Sequence, residues 1–159
     1  MSAAPQVAEM KLAVATPLAI VVEVDDVAYL RAEDDTGAFG ILPGHADFLT
    51  VLALSVATWR DRTGREHHIA VRRGTLEVRG GETIRITTRE AVADDNLRRL
   101  ETEVLATFRR RTEEEAKARI DAQRLYLAAI RQFSRFLKGE RSPGSPGASL
   151  LLPEDGLEP

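Results

Sequence analysis

The apolar positions change their period along the chain. From Lys11 to Thr88 they fall in short stretches rich in β-branched residues, separated by turn signals. Leu18–Val24 is one such stretch, and Val27–Ala32 is a second, after an acidic turn at Asp25-Asp26. Phe48–Val51, Leu54–Arg60, His67–Arg72, Thr75–Arg79 and Thr83–Thr88 follow. Glu33–Thr36, Asp61–Gly64 and Gly80-Gly81 fit the turns between them. Thr83-Ile84-Arg85-Ile86-Thr87 alternates strictly, which buries one face and wets the other. Many short strands without crossover helices predict a sandwich or barrel and argue against a parallel sheet.

Between Glu82 and Lys138 there is neither Gly nor Pro, and the period becomes helical. Leu97, Leu100, Val104 and Phe108 fall on one stripe, and Ala116, Ile120, Leu127, Ile130, Phe133 and Leu137 on a later one. Asp94 and Asp95 stand where a helix N-terminus favours negative charge. Thr112 with Glu115 is a capping-box pattern that predicts a second helix start, with Arg109–Arg111 closing the first helix. The joint lacks glycine, so one long helix is the alternative. After Lys138 come four Pro and four Gly, a composition that predicts a disordered tail whose one apolar patch is Leu150–Leu152. The fold class expected is an all-β sandwich N-terminal domain followed by an α-helical hairpin and a disordered C-terminal tail. Its segments are an N-terminal extension (1–10), the sandwich (11–90), a helical pair (91–138, joint near 109–113) and the tail (139–159).

Composition narrows the function classes. The chain has 159 residues, 43% hydrophobic and 30% charged, enough for one compact domain and an appendage. No apolar run approaches the ~18 residues that cross a bilayer. Met1–Met10 carries Glu9 and no base, unlike a secretory signal or a transit peptide. The absence of cysteine excludes disulfides and thiolate chemistry. The net charge of −3 argues against nucleic acid as partner. Residues 94–141 nevertheless hold 12 bases against 9 acids, a surplus that suits an acidic protein surface.

Catalytic motifs are missing. There is no Walker loop, no GxGxxG before a helix and no GxSxG elbow. His67 and His68 are adjacent, so a regular strand points them to opposite faces, and no metal or cofactor is expected. An enzyme is therefore disfavoured.

The most distinctive stretch runs GAFGILPGHADFLTVL from Gly37 to Leu52. Physically it is a strand, a Pro43-Gly44 turn with glycine where φ is positive, then another strand. This segment resembles the hallmark of the epsilon subunit of F-type rotary ATP synthases. Thr16-Pro17 and Gly74-Thr75-Leu76-Glu77-Val78 resemble two further family features, and the likeness covers about residues 10–138. It implies a non-catalytic central-stalk subunit that links gamma and the c-ring, couples ion translocation to ATP synthesis or hydrolysis, and inhibits hydrolysis through its helices. It implies Ala38, Phe39, Pro43, Gly44 and His45 on the rotor side. It places Arg131, Arg135 and Lys138 against the catalytic head. Membrane association would come only through the complex, on the cytoplasmic face of the bacterial inner membrane. Some members bind ATP through Ile-Asp-x-x-Arg-Ala; here only Asp95 and Arg98 keep that spacing, and an i,i+3 ion pair explains them equally well. Residues 139–159 extend beyond the usual family end. The rival reading is a β-sandwich plus coiled-coil adaptor or assembly module unrelated to the synthase.

Overall fold

The computed structural model describes residues 8–139. The expected tail, apart from Gly139, and most of the expected N-terminal extension lie outside the described residues. Seven strands lead into the helical region: β1 (Met10–Ala15), β2 (Ile20–Asp34), β3 (Gly37–Ile41), β4 (Phe48–Asp61), β5 (Glu66–Arg79), β6 (Thr83–Thr87) and β7 (Ala91–Ala93). The sheet order is β1-β6-β5-β4-β2-β3, and β1 also pairs with β2, so the ladder closes on itself. Most pairs are antiparallel, in keeping with the expectation against a parallel sheet; β1 and β6 form the one parallel pair among the described strands, with Leu12 opposite Ile84. The chain needs no crossover helix there because strands β2 to β5 make the connection.

Three long strands replace pairs of shorter ones. Asp25-Asp26 is no turn: β2 runs straight through it. The strand changes partner at that point instead. Its first half pairs with β1, while Val27–Asp34 pairs with β4 and Leu30–Asp34 with β3. Likewise β4 spans both stretches on either side of Ala53, and β5 spans both sides of Arg73-Gly74. Arg73 has φ +58° and Gly74 φ +138°, so β5 bends there without ending. A side chain on Gly74 would meet the Thr87 carbonyl oxygen at 2.1 Å.

The core follows the alternation. Leu12 and Val14 of β1, Leu30 of β2, Leu76 of β5, and Ile84 and Ile86 of β6 are at most 1% exposed inside the closed sheet. Residues His68–Arg72 are buried on both faces. Ile69 and Val71 point into the core, while Ala70 lies under the start of the helical region with Leu100, Leu105 and Phe108.

That region begins with a single turn, α1 (Leu97–Arg99), capped by Asn96, whose side chain accepts from the Arg99 amide. A π-helical turn at Leu100–Val104 follows, and then α2 (Leu105–Gly139). The Leu105 amide donates to the Leu100 carbonyl five residues back, which brings both leucines to the sheet. The expected hairpin is not formed: α2 is one helix through residues 109–113. The capping box fails because both of its members are engaged elsewhere. The Thr112 hydroxyl donates to the Phe108 carbonyl at 2.8 Å, and the Glu115 carboxylate takes Arg72 and Arg89. With no Gly or Pro to break it, the helix continues.

Two compact units divide the chain, one up to Glu115 and one from Ala116 onward. In the first, a charged network reinforces the second core. Arg72 is 7% exposed. Its Nε stands 2.9 Å from Glu90 and its NH1 donates to Glu115 at 2.9 Å. Arg89 also holds Glu115, and Arg111 holds Glu90. A chain truncated after residue 90 loses this network and uncovers Ala70 and Leu54. We expect a chain of residues 1–115 to melt near the temperature of the full chain in calorimetry. A chain of residues 1–90 should melt clearly lower, since burial of one Phe side chain alone is worth about 1.5–3 kcal/mol. Equal melting of the two would show that the helical start adds nothing to the sandwich.

The β4–β5 hairpin carries an acid-sensitive contact. The Asp61 carboxylate accepts from the Thr63 hydroxyl and from the Thr63 and Arg65 amides, and pairs with His67 Nε2 at 2.9 Å. The Thr63 hydroxyl first, then His67, holds its carboxyl well below the usual carboxylate range. A carboxyl so lowered stabilises the fold above the ordinary Asp value of about 3.9, and that contribution is lost as pH falls from there toward the folded value. Asp61→Asn should therefore flatten the loss of stability below about pH 4 in urea titrations, by comparison with the unmodified chain.

Candidate functional site

The hallmark segment forms one end of the sandwich. At Leu42-Pro43-Gly44-His45 the His45 amide donates to the Leu42 carbonyl at 3.1 Å, and Gly44 has φ +81°. This is the turn expected from Pro43-Gly44. A neighbouring turn presses on it: Gly80 and Gly81 link β5 to β6, both with positive φ. The Gly44 amide donates to the Gly81 carbonyl at 2.9 Å, and the Gly80 amide donates to Asp47 at 2.7 Å. A side chain on Gly81 would stand 2.6 Å from the Gly44 Cα. The glycine pair is thus required by close approach as much as by its own dihedrals.

Aromatic rings stiffen the segment. Phe48 meets Phe39 edge-on at 5.5 Å and His45 at 5.6 Å. His45 Nδ1 lies 2.7 Å from the Ala46 carbonyl oxygen. Phe39, Pro43 and His45 are half-buried, while Ala38 and Gly44 are exposed. Ala38 stands opposite Glu33 in the β2–β3 pair, beside the turn that Asp34 organises. The Asp34 carboxylate accepts from the Thr36 hydroxyl and amide and from the Thr50 hydroxyl of β4. The Thr36 hydroxyl first, then Thr50, lowers its pKa. The site can grip a surface but offers no acid–base or nucleophilic pair.

Sequence reasoning missed the outward face beside this loop. Leu49 and Val51 of β4 are 70% and 57% exposed. Val51 stands opposite Thr75, Thr75 opposite Thr87, Thr87 opposite Ala15, and Ala15 opposite Ile20. An uncharged row therefore crosses four pairings and ends at the exposed Ile20, near Leu18. Phe48–Leu52 reads FLTVL, apolar on both faces of a strand, so the sequence did not say which face solvent would meet.

The other residues singled out behave differently. Asp95 does not pair with Arg98: its carboxylate takes Arg65 at 3.0 Å and lies 4.0 Å from His67 Nδ1. His67 stacks on Trp59, with ring centroids 5.2 Å apart, whereas His68 bonds to Thr58 at 2.9 Å. The two histidines do diverge. Arg131, Arg135 and Lys138 are exposed on α2 in the second unit. The apolar positions there form a wider face than the predicted stripe, for Leu125, Tyr126 and Phe136 are also exposed.

Residues 9–94 match the family model of the ATP synthase delta/epsilon chain, beta-sandwich domain. An ATP synthase epsilon chain 2 of Paraburkholderia xenovorans is 41% identical over 133 residues, covering 83% of this chain and 95% of that one. An ATP synthase epsilon chain 2 of Cereibacter sphaeroides is 40% identical over 136 residues, covering 86% and 92%. A chain in the Euglena gracilis mitochondrial ATP synthase structure (OSCP/F1/c-ring) shares the fold, with a TM-score of 0.52 and 22% identity over 54% of each chain. With the sandwich matched and a relative covered almost end to end, this chain belongs to the family of ATP synthase epsilon chains.

Proposed function

We propose that this chain is the non-catalytic epsilon subunit in the central stalk of a rotary ATP synthase. It links gamma to the c-ring, so that ion translocation is coupled to ATP synthesis or hydrolysis. The observation that carries this reading is the match of nearly the whole length of epsilon chains at about 40% identity. The geometry supports it. The loop end built from Pro43, Gly44 and His45 offers a rigid, half-apolar grip for the rotor, with Ala38 and Phe39 beside it. The uncharged row from Val51 to Ile20 offers a second surface, suited to gamma. Two contact surfaces fit a coupling part. Family membership displaces the reading as an unrelated adaptor. No helix among the described residues is long and apolar enough to cross a membrane. As a relative of ATP synthase epsilon chains it is read as a subunit of a membrane-associated complex, and we place it on the cytoplasmic face of a bacterial inner membrane.

The rotor contact is tested through Gly81, which touches no partner in this reading but fixes Gly44. Gly81→Ala forces the Leu42–Asp47 loop to shift. Affinity purification of the synthase through the chain should recover less c-ring, while the isolated variant still melts cooperatively. Full recovery would remove the loop from the rotor contact.

The helix supports a regulatory role. Arg131, Arg135 and Lys138 lie at steps of four and three on one side of α2, which suits an acidic segment of the catalytic head. Exposed pairs are worth only about 0–1 kcal/mol each, so all three are changed together. The triple variant to Ala keeps the helix, because Ala is its best former. We expect it to assemble normally and to raise ATP hydrolysis by the complex. The rise should be largest at low ionic strength, where the Debye length exceeds the about 8 Å of physiological salt. Unchanged hydrolysis would assign these charges to a solvated surface.

A further inference from the structure

The second unit exposes two unlike faces. At 3.6 residues per turn, Leu125, Tyr126, Ile130, Phe133, Phe136 and Leu137 share one broad side of α2. They are 44–72% exposed. Ala129, Gln132, Phe133 and Phe136 line a shallow apolar hollow within it. On another side run Lys117, Arg124, Arg131, Arg135 and Lys138, and the only acid between Ala116 and Gly139 is Asp121. A continuous apolar face of this kind, rimmed by charge, marks a docking surface.

We propose that the occupant is the chain's own segment 140–159, folded back along α2. Three properties of that segment fit the helix. Its one apolar run, Leu150-Leu151-Leu152, matches the hollow and the rings around it. It carries Glu154, Asp155 and Glu158, and from residue 142 onward it has no base, which complements the basic side of the helix. The intervening Ser142-Pro143-Gly144-Ser145-Pro146-Gly147 is rich in residues that reverse a chain. The lengths also agree. Residues 148–158 in extended form span about 36 Å at about 3.3 Å per residue. The helix from Ala116 to Gly139 spans about the same at 1.5 Å per residue. The leucines then seat near Phe133, and the acids fall farther along, beside Arg124 and Lys117. This proposal concerns contacts within one chain and does not depend on the synthase reading.

The absence of cysteine makes the test direct. Ser149→Cys in the full chain carries a nitroxide label, and amide signals of the isotope-labelled protein are recorded by NMR. Docking is expected to cause loss of signal across Leu125–Leu137. That loss should be relieved by adding Leu150→Ser and Leu152→Ser and weakened by high salt. Both serine changes fall in the docking segment itself and leave every residue of 8–139 unchanged, so they test the segment's apolar contact. Loss confined to the last helical turn, or loss indifferent to the serine changes, would overturn the proposal. A mixture of spin-labelled chain without isotopes and isotope-labelled chain without cysteine covers the remaining outcome. Signal loss there would assign the face to a second copy and overturn docking within one chain.

Discussion

At Gly74 the backbone of β5 passes so close to the end of β6 that only a hydrogen fits between Cα and the Thr87 carbonyl. That approach lets one bent strand serve several partners. Below the bend Thr75–Arg79 pairs with β6, above it Ile69–Val71 pairs with β7, and β4 runs along the opposite edge throughout. Arg73, beside it, takes a left-handed conformation that costs about 1–2 kcal/mol for a residue other than glycine. The fold accepts this cost because the bend fixes where Ala70 and Arg72 face.

Those two residues join the sandwich to the helical start. Ala70 supplies a flat apolar floor for Leu100, Leu105 and Phe108. Arg72 brings a nearly buried cation between Glu90 and Glu115. An unpaired guanidinium there would be strongly destabilising, so the network keeps each charge between opposites. The π-helical turn belongs to the same arrangement, since it advances the chain by one residue and sets Leu100 and Leu105 side by side. The apolar contact supplies energy, and the charged contact restricts how the first turns lie.

The strands and turns were legible where local chemistry decides. Thr83–Thr87 alternates as observed, and Pro43-Gly44, Asp61–Gly64 and Gly80-Gly81 turn where expected. Errors arose where tertiary context overrode a local signal. Asp25-Asp26 reads as a turn, but a strand exchanging one partner for another passes through an acidic pair without reversing. Thr112 and Glu115 read as a cap, but a buried arginine 43 residues away claims the glutamate. The hallmark loop was legible as a motif, whereas its support from Gly81 needs the pairing of distant strands. Exposure of Leu49 and Val51 is a further case, because the stretch is apolar on both faces of the strand and only the closed sheet says which is outside.

Closure of the sheet also governs how this protein can associate. Among the described strands, only β3 and β7 have a single partner, and they are five and three residues long. Unpaired strand edges are templates for adding another chain, and short ones are poor templates. The backbone hydrogen-bonding groups of the longer strands are largely spent within the fold. Growth by strand addition, the route to fibrous aggregates, is thereby closed to the sandwich even though it displays Leu18, Ile20, Leu49 and Val51 to solvent. A sticky surface can be kept for a neighbour in a large assembly only when the backbone beside it offers strangers nothing to pair with.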